Sequence, residues 1–380
     1  MDKDLNVLFV VNVDWFFLSH RLPLALDAMK RGYTVYVLTA DTGKKKKIES
    51  YGIKFLEIPF QRSGKNLLHE IKCVRLLTKY YKEIKPDIIH HVTLKAALLG
   101  SFAAKITKSQ NVINAISGLG YNFTDGRNGF FQQCIRWMMN LAFKSKSFYF
   151  ILQNPDDVRL MENMNFVPTE HYKLIKGSGV NLKEFPFTEI YEKQKLHILF
   201  PARILYDKGV MELINAASKL RHQWEGKIIF ILAGDCDEEN KAVVHKTDLE
   251  KHLIPGYMEW IGFRRDMIFQ YQQSDIIVLP SYREGLPKSL IEACAIGRPI
   301  ITTNVPGCRE CVIDGYNGVL VPVKTVEPLA SAIDELCQSR LKREEMGKNS
   351  RKLAEKEFSI ESVVRKTFSL YDEILSKIKK

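Results

Sequence analysis

Two glutamates, Glu284 and Glu292, lie eight positions apart in the segment "SYREGLPKSLIEACAIGRP". The apolar run "DIIVLPS" before Glu284 predicts a buried strand, and "SLIEACAIG" predicts a helix that contains Glu292. Glu284 would then lie on a loop at the carboxyl end of a strand, where parallel sheets bind their ligands. Carboxylates accept hydrogen bonds from paired hydroxyls, such as those of ribose. The pair could therefore bind a hydroxylated ligand; the alternative is two solvated side chains at a helix start.

The break between the two glutamates, Gly285-Leu286-Pro287, is predicted to begin the helix. Proline suits a first helical turn, because its missing N–H costs little there. The N–H groups of Leu286, Lys288 and Ser289 remain, and the free donors and positive dipole of a helix N-terminus attract anions. A diphosphate would fit this position.

Two cations, Arg203 and Lys208, follow another predicted strand in "FPARILYDKGV". They lie five positions apart on a turn that ends in Gly209. Such cations could clamp a diphosphate leaving group and stabilise the charge that develops on it. On spacing alone, an ordinary solvated pair is the alternative.

The net charge of +12 is concentrated in the first half of the chain. Residues 1–190 have 27 Lys and Arg against 17 Asp and Glu, whereas the remaining residues have 29 against 27. A positive field favours an anionic partner, which could be a phosphate-bearing substrate, an anionic membrane surface or nucleic acid. No apolar run is long enough to span a bilayer, and the scattered cysteines fit reduced thiols. We therefore expect a cytoplasmic protein.

Short apolar runs alternate with helical patterns along the whole chain, which predicts parallel βαβ units. The pattern restarts after a segment rich in Gly, Pro and charge at residues 177–195. The fold class is therefore α/β, with two Rossmann-like, doubly wound parallel-sheet domains that face each other across a cleft. We place the first domain at 1–185 and the second at 195–359. The amphipathic helix at 360–380 is expected to pack back toward the N-terminal domain.

The loop "NVDWFFLSHRLP", residues 12–23, follows the first predicted strand and has no glycine. It offers His20 and Arg21 among aromatic residues, which would suit an acceptor with an apolar part and an anionic part. The alternative is that its aromatic residues are packed core and that His20 caps a helix.

The segment "GFFQQCIRWMMNLAFKSK", residues 129–146, is apolar nearly all round and has basic residues but no acid. Basic, aromatic-rich helices can lie in a membrane interface. A buried domain helix is the alternative.

Together these residues resemble the family-4 retaining glycosyltransferases, which have the two-domain GT-B architecture. The resemblance covers nearly the whole chain and is densest between Ala202 and Gly318, in "ARILYDKG", "LAGD", "WIGFRRDM" and "DIIVLPSYREGLPKSLIEACAIGRP". It implies that Arg203 and Lys208 bind the donor diphosphate and assist its departure. It also implies transfer with retention at the anomeric carbon and without a divalent metal.

The resemblance makes 1–185 the acceptor-binding domain and 195–359 the nucleotide-sugar-binding domain, and it assigns further roles around the donor. Glu284 would face the hydroxyls of the donor sugar, and Glu292 would bind the ribose. Phe263 and Arg264 fall where the family contacts the base. With the helix-start groups at Leu286, Lys288 and Ser289, they complete the predicted donor site. One departure is Ser117 of "NAISGLGYNF", which stands where many members have a histidine that reaches the sugar; another is Pro287, where many have glycine.

The motifs "FFLSHRLP" and "ISGLGYNF" are similar to those of bacterial transferases that extend lipid-linked oligosaccharides. This implies a UDP-sugar donor, with N-acetylgalactosamine favoured, and a polyprenyl-diphosphate-linked saccharide acceptor. His20 and Arg21 would contact the acceptor diphosphate. The enzyme would work in surface polysaccharide biosynthesis, at the cytoplasmic face of the inner membrane. Alternatives are a GDP-sugar donor or a sugar-nucleotide 2-epimerase of the same fold; no motif supports nucleic acid as a partner.

Overall fold

The computed structural model describes residues 5–61, 66–118 and 130–377. The chain divides into two compact units, the first formed by residues 1–178 and 361–380 and the second by residues 179–360. Each unit contains one sheet, and helices follow its strands along the chain. The predicted class, two α/β domains with doubly wound parallel sheets, is confirmed.

The first unit contains seven strands and seven helices before the last helix of the chain, counted over the described residues. The strands are β1 (Asn6–Val13), β2 (Thr34–Ala40), β3 (Lys54–Glu57), β4 (Ile88–Val92), β5 (Val112–Ile116), β6 (Phe148–Leu152) and β7 (Tyr172–Leu174). The helices are α1 (Asp14–His20), α2 (Leu22–Lys30), α3 (Lys45–Glu49), α4 (Leu67–Ile84), α5 (Leu94–Thr107), α6 (Phe130–Phe143) and α7 (Pro155–Asn163).

The second unit follows the same plan with six strands. The strands are β8 (Leu196–Phe200), β9 (Ile228–Ala233), β10 (Met258–Gly262), β11 (Ile276–Leu279), β12 (Ile300–Thr303) and β13 (Gly318–Val321). The helices are α8 (Val210–Trp224), α9 (Lys246–Glu250), α10 (Met267–Gln273), α11 (Lys288–Ile296), α12 (Glu327–Gln338) and α13 (Arg340–Leu353). A π-helical turn, Ala354–Phe358, leads to the last helix, α14 (Ile360–Ser376), nearly all of which belongs to the first unit.

The central strands form because their residues are apolar on both faces, as parallel strands covered by helices require. All five residues of β4, β5 and β6 are buried, as are all four of β11 and β12. The strand order is β3-β2-β1-β4-β5-β6-β7 in the first sheet and β10-β9-β8-β11-β12-β13 in the second. The order reverses between β1 and β4 and again between β8 and β11. These switch points are where such sheets bind ligands.

None of the helices within the described ranges is long and apolar enough to span a membrane.

Candidate active site

The carboxylate of Glu284 and the ammonium of Lys208 form an ion pair at the switch point of the second sheet. Lys208 Nζ lies 2.5 Å from Glu284 Oε1, and Ser281 Oγ donates to the same oxygen at 2.9 Å. The side chains are only 17% and 15% exposed. Burial opposes the charged ammonium, but the attraction of Glu284 and its hydrogen bond outweigh that cost and raise the pKa of Lys208. Lys208 is therefore charged at neutral pH.

Close backbone contacts fix the two loops that carry this pair. Gly209 has φ +74°, and a Cβ there would lie 2.1 Å from the carbonyl oxygen of Pro280. Gly307 has φ +82°, and its Cβ would lie 2.3 Å from the carbonyl oxygen of Glu284. Only glycine tolerates both the conformation and the approach. The turn at Lys208 and the loop at Glu284 are thus held in place by backbone packing rather than by the ion pair alone.

Arg203, the other predicted cation, pairs with an acid that the sequence reasoning did not single out. Its Nη1 lies 2.5 Å from Asp237 Oδ2, and its side chain is 45% exposed. Asp237 follows β9, the strand beside β8, so the pair also lies at the carboxyl edge of the sheet. An anionic ligand at Arg203 would have to compete with this carboxylate.

The sequence Asp235-Cys236-Asp237 has the spacing of an Asp-x-Asp metal motif. Its carboxylates hydrogen-bond within the protein, since Asp235 Oδ1 accepts from the N–H of Phe263 at 3.0 Å and Asp237 binds Arg203. Among the described residues, no three or more His, Cys, Asp or Glu side chains cluster as a metal site would require.

Glu292 lies on α11, and among the described residues no hydrogen bond or ion pair joins it to Lys208 or Glu284. Tyr271 donates its hydroxyl to Glu292 Oε2 at 3.2 Å, and Lys288 Nζ lies 3.6 Å from Oε1. Burial raises the pKa of Glu292, an effect that these two partners only partly offset. A largely buried carboxylate with a tyrosine and a lysine beside it can accept a hydroxyl pair, as the ribose role requires. Tyr271 was missed because it lies on a different helix, α10.

The start of α11 differs by one residue from the prediction. The helix begins at Lys288, and Pro287 precedes it as an extended N-cap with φ −70° and ψ 118° rather than within the first turn. No side chain caps this helix start in the part of the chain that the structure describes, and the first N–H groups of a helix have no partner within the helix. The helix start therefore keeps donors that an anion could use.

The two residues predicted to contact the base differ in availability. The ring of Phe263 is 65% exposed directly after β10, and a base could stack on it. Arg264 instead forms two hydrogen bonds of 2.8 Å to Asp266, which lower the pKa of that carboxyl to about 2. Phe263 is thus the more available contact.

In the first unit, the two residues predicted to bind the acceptor, His20 and Arg21, have different surroundings. The His20 ring stacks on Phe16 with centroids 3.9 Å apart, and its Nδ1 lies 2.6 Å from Ser19 Oγ. Arg21 is only 5% exposed. Of the other aromatic residues in this loop, Phe17 is buried whereas Trp15 is 41% exposed. The prediction of a loop is wrong, because Asp14–His20 form α1 and α2 begins at Leu22, and this segment contains both packed core and accessible rings. The motif "ISGLGYNF" lies within the described residues only as far as Gly118.

Helix α6 is neither buried all round nor fully exposed. Met139, Ala142 and Phe143 are buried, while Trp137 is 64% exposed. Met138 and Leu141 are exposed as well, at 40% and 44%. The basic side chains at 136, 144 and 146 are also exposed. The alternative, a helix buried within its domain, therefore does not hold for this face.

The fold and these residues define a GT-B glycosyltransferase. Residues 6–154 match the family model described as glycosyl transferase 4-like, and residues 182–353 match glycosyl transferases group 1. The two models together cover most of the chain, which is therefore a glycosyltransferase.

One relative is the N,N'-diacetylbacillosaminyl-diphospho-undecaprenol alpha-1,3-N-acetylgalactosaminyltransferase of Campylobacter jejuni. It is 28% identical, over 95% of this chain and 99% of the relative. The UDP-Gal:alpha-D-GlcNAc-diphosphoundecaprenol alpha-1,3-galactosyltransferase of Escherichia coli is 24% identical over 82% of each chain.

Solved structures share the fold. A glycosyltransferase from Rickettsia africae aligns with a TM-score of 0.78 at 21% identity, over 98% of this chain and 99% of the other. Anabaena HepE, solved with UDP and glucose, aligns with a TM-score of 0.76 at 18% identity, over 96% and 99%.

Proposed function

We propose that the protein transfers an N-acetylhexosamine, with N-acetylgalactosamine favoured, from a UDP-sugar to a polyprenyl-diphosphate-linked saccharide. The observation that carries the proposal is the Lys208–Glu284 pair at the switch point of the second sheet, with Arg203 on the same loop as Lys208. The relatives support the substrate class, because both act, by name, on sugars linked to diphospho-undecaprenol.

The second unit would bind the donor. Arg203 and Lys208 would hold its diphosphate, together with the N–H groups at the start of α11. Glu292 would accept the ribose hydroxyls, and Phe263 would stack on the base. Glu284 has one oxygen engaged by Lys208 and Ser281, and its other oxygen would accept a hydroxyl of the donor sugar.

In the proposed reaction, the bond between the anomeric carbon and the diphosphate oxygen breaks, and its electron pair leaves with UDP. The acceptor hydroxyl forms the new bond on the same face of the sugar and gives its proton to the departing diphosphate. Arg203 and Lys208 stabilise the negative charge as it grows. Two protein cations can supply this charge without a divalent metal, and we propose a metal-independent enzyme.

The first unit would bind the acceptor at a membrane surface. Its excess of basic residues suits a lipid diphosphate and an anionic bilayer. The exposed face of α6, with Trp137, Met138 and Leu141 among basic side chains, has the composition of an interfacial helix. We propose peripheral association with the cytoplasmic face of the inner membrane through this face.

A single assay tests the proposal. The purified protein is incubated with a polyprenyl-diphosphate-linked saccharide and a panel of UDP- and GDP-sugars, with and without EDTA. We expect transfer from a UDP-N-acetylhexosamine that survives EDTA, and NMR of the product should show the anomeric configuration of the donor. Preference for a GDP-sugar, or inversion, would contradict the proposal. Epimerised sugar formed from the donor alone would favour the epimerase.

A further inference from the structure

The guanidinium of Arg21 is buried in the first unit without an acidic partner among the described residues. Arg21 lies at the junction of α1 and α2, where its Nη1 donates to the carbonyl oxygen of His20 at 3.0 Å. Its Nε is buried and has no hydrogen-bond partner within residues 5–61, 66–118 and 130–377. Burial lowers the pKa of Arg21 to about 10, so the side chain remains charged at neutral pH. A buried charge without a counter-charge is costly unless something else compensates it.

A second buried polar group, His90 of β4, faces the same cavity. It is 1% exposed, and its Nδ1 lies 2.7 Å from the hydroxyl of Tyr371 on α14. Its Nε2 has no partner in the described chain. Burial and then the nearby charge of Arg21 lower the pKa of His90 well below its usual range, so the ring is neutral. When the Tyr371 hydroxyl donates to Nδ1, Nε2 carries the hydrogen and can donate into the cavity.

The cavity between these side chains is small, with a volume of ≈ 20 Å³. Gly177 and Ser178 line the cavity beside Arg21 and His90, and Val364 of α14 is part of its apolar wall. Among the described residues, no Asp or Glu lines this cavity. The cavity therefore combines the Arg21 cation, the neutral imidazole of His90 and the hydroxyl of Ser178 with an apolar wall. The low dielectric constant of that wall strengthens the attraction for an anion.

We propose that this cavity is an oxyanion site that takes a phosphoryl group. The guanidinium has several donors in a planar fork that matches two phosphoryl oxygens, and His90 Nε2 would donate to another. The phosphoryl group can come from the diphosphate of the lipid-linked acceptor or from a soluble phosphate. The first source rests on the proposed function, whereas the site itself does not.

Binding of inorganic pyrophosphate tests the site without any transfer reaction. Isothermal titration is carried out on the full chain with Arg203→Ala and Lys208→Ala, so that the predicted donor site of the second unit does not contribute. We expect binding in this background and at least ~10-fold weaker binding when Arg21→Met is added, because charge-assisted hydrogen bonds to phosphate are lost. Adding His90→Phe should weaken it several-fold.

Arg31→Met is the matched control, because it removes the same charge from an exposed position of the same unit. Equal affinity in the Arg21→Met and Arg31→Met proteins, or no binding in the background, would overturn the proposal. Arg21→Met removes an uncompensated charge and should not lower Tm. If it nevertheless prevents folding, Arg21→Lys keeps the charge without the fork and should still weaken binding.

The two sources are separated by the acceptor KM in the otherwise unaltered enzyme. If the site takes the acceptor diphosphate, Arg21→Met should raise KM about 10-fold for the diphosphate-linked saccharide and leave KM for the free saccharide unchanged. If pyrophosphate binding depends on Arg21 but neither KM changes, the site serves a soluble phosphate. A protein that binds pyrophosphate through Arg21 and transfers no sugar would contradict the proposed function and leave the site standing.

Discussion

Removing the ammonium of Lys208 should destabilise the second unit much more than removing an exposed ammonium from an ion pair of the same length. Lys208→Met removes the cation that pairs with the partly buried carboxylate of Glu284, which keeps a hydrogen bond from the hydroxyl of Ser281. Lys219 and Glu327 form the control pair: their N–O distance is also 2.5 Å, but their side chains are 52% and 72% exposed. The two variants therefore differ mainly in burial.

The expected size follows from that difference. An exposed pair contributes about 0–1 kcal/mol, whereas breaking a buried pair by removing one partner costs about 3–5 kcal/mol. At 17% and 15% exposure, Lys208 and Glu284 lie nearer the buried limit. We expect Lys208→Met to lower the free energy of unfolding by ~2–3 kcal/mol, or Tm by ~5–10 °C for a unit of this size. Lys219→Met should cost less than ~1 kcal/mol.

Calorimetry and urea unfolding measure the effect, and hydrogen exchange of β8 and β11 assigns the transition to the second unit. Adding Glu284→Gln to Lys208→Met should recover most of the lost stability, because no unpaired charge is then left. The pKa of Lys208 is raised, so the contribution of the pair should persist through neutral pH and disappear only as pH rises through that raised pKa. If Lys208→Met costs no more than Lys219→Met, burial does not govern this pair and the reasoning fails.

Other sites give further predictions. Glu292→Gln should raise donor KM several-fold in steady-state assays. Burial raises the pKa of Glu292, so the ionised side chain destabilises the folded protein at pH 7, and Glu292→Gln should raise Tm there. Below pH ~4 the Glu292 carboxyl is protonated in both the folded and the unfolded chain, and the substitution should leave Tm unchanged. Asp237→Asn should free Arg203 and tighten UDP binding in a titration, and weaker binding would show that Asp237 does not compete. Trp137→Ser should reduce co-sedimentation with anionic vesicles several-fold, whereas the equally polar change Leu341→Ser, at a residue 79% exposed in the second unit, should not.

The central strands could be predicted from the sequence, whereas three edge strands could not. Runs such as "VLFVV" and "DIIVL" are apolar throughout because both faces of a central strand are covered. Strands β3, β7 and β13 lie at the edges of the two sheets and read "KFLE", "YKL" and "GVLV". These three strands have only three or four residues each and pair on one side only, so their sequences have little periodicity to detect.

The candidate site shows the same division between local and long-range information. The place of Glu284 and Arg203 after strands could be predicted, because the carboxyl ends of parallel strands meet at one edge of a sheet. Their partners could not. Asp237 lies 34 positions from Arg203 and Tyr271 lies 21 from Glu292. Nothing in their own neighbourhood of sequence marks either residue, and only the packing of separate elements brings each pair together.

The charge arrangement suggests how the donor site can be ordered before the donor binds. Each cation assigned to the diphosphate is held by a carboxylate on a different loop, so both side chains have defined positions at little cost in entropy on binding. The two carboxylates then differ in what they can do. In the proposed roles, Glu284 faces the sugar and can keep Lys208 while the diphosphate approaches from the other side. Asp237 has no such role, so its ion pair with Arg203 must break when Arg203 binds the donor diphosphate. The electrostatic cost of donor binding is therefore concentrated at the more exposed of the two pairs, where water can solvate the displaced carboxylate.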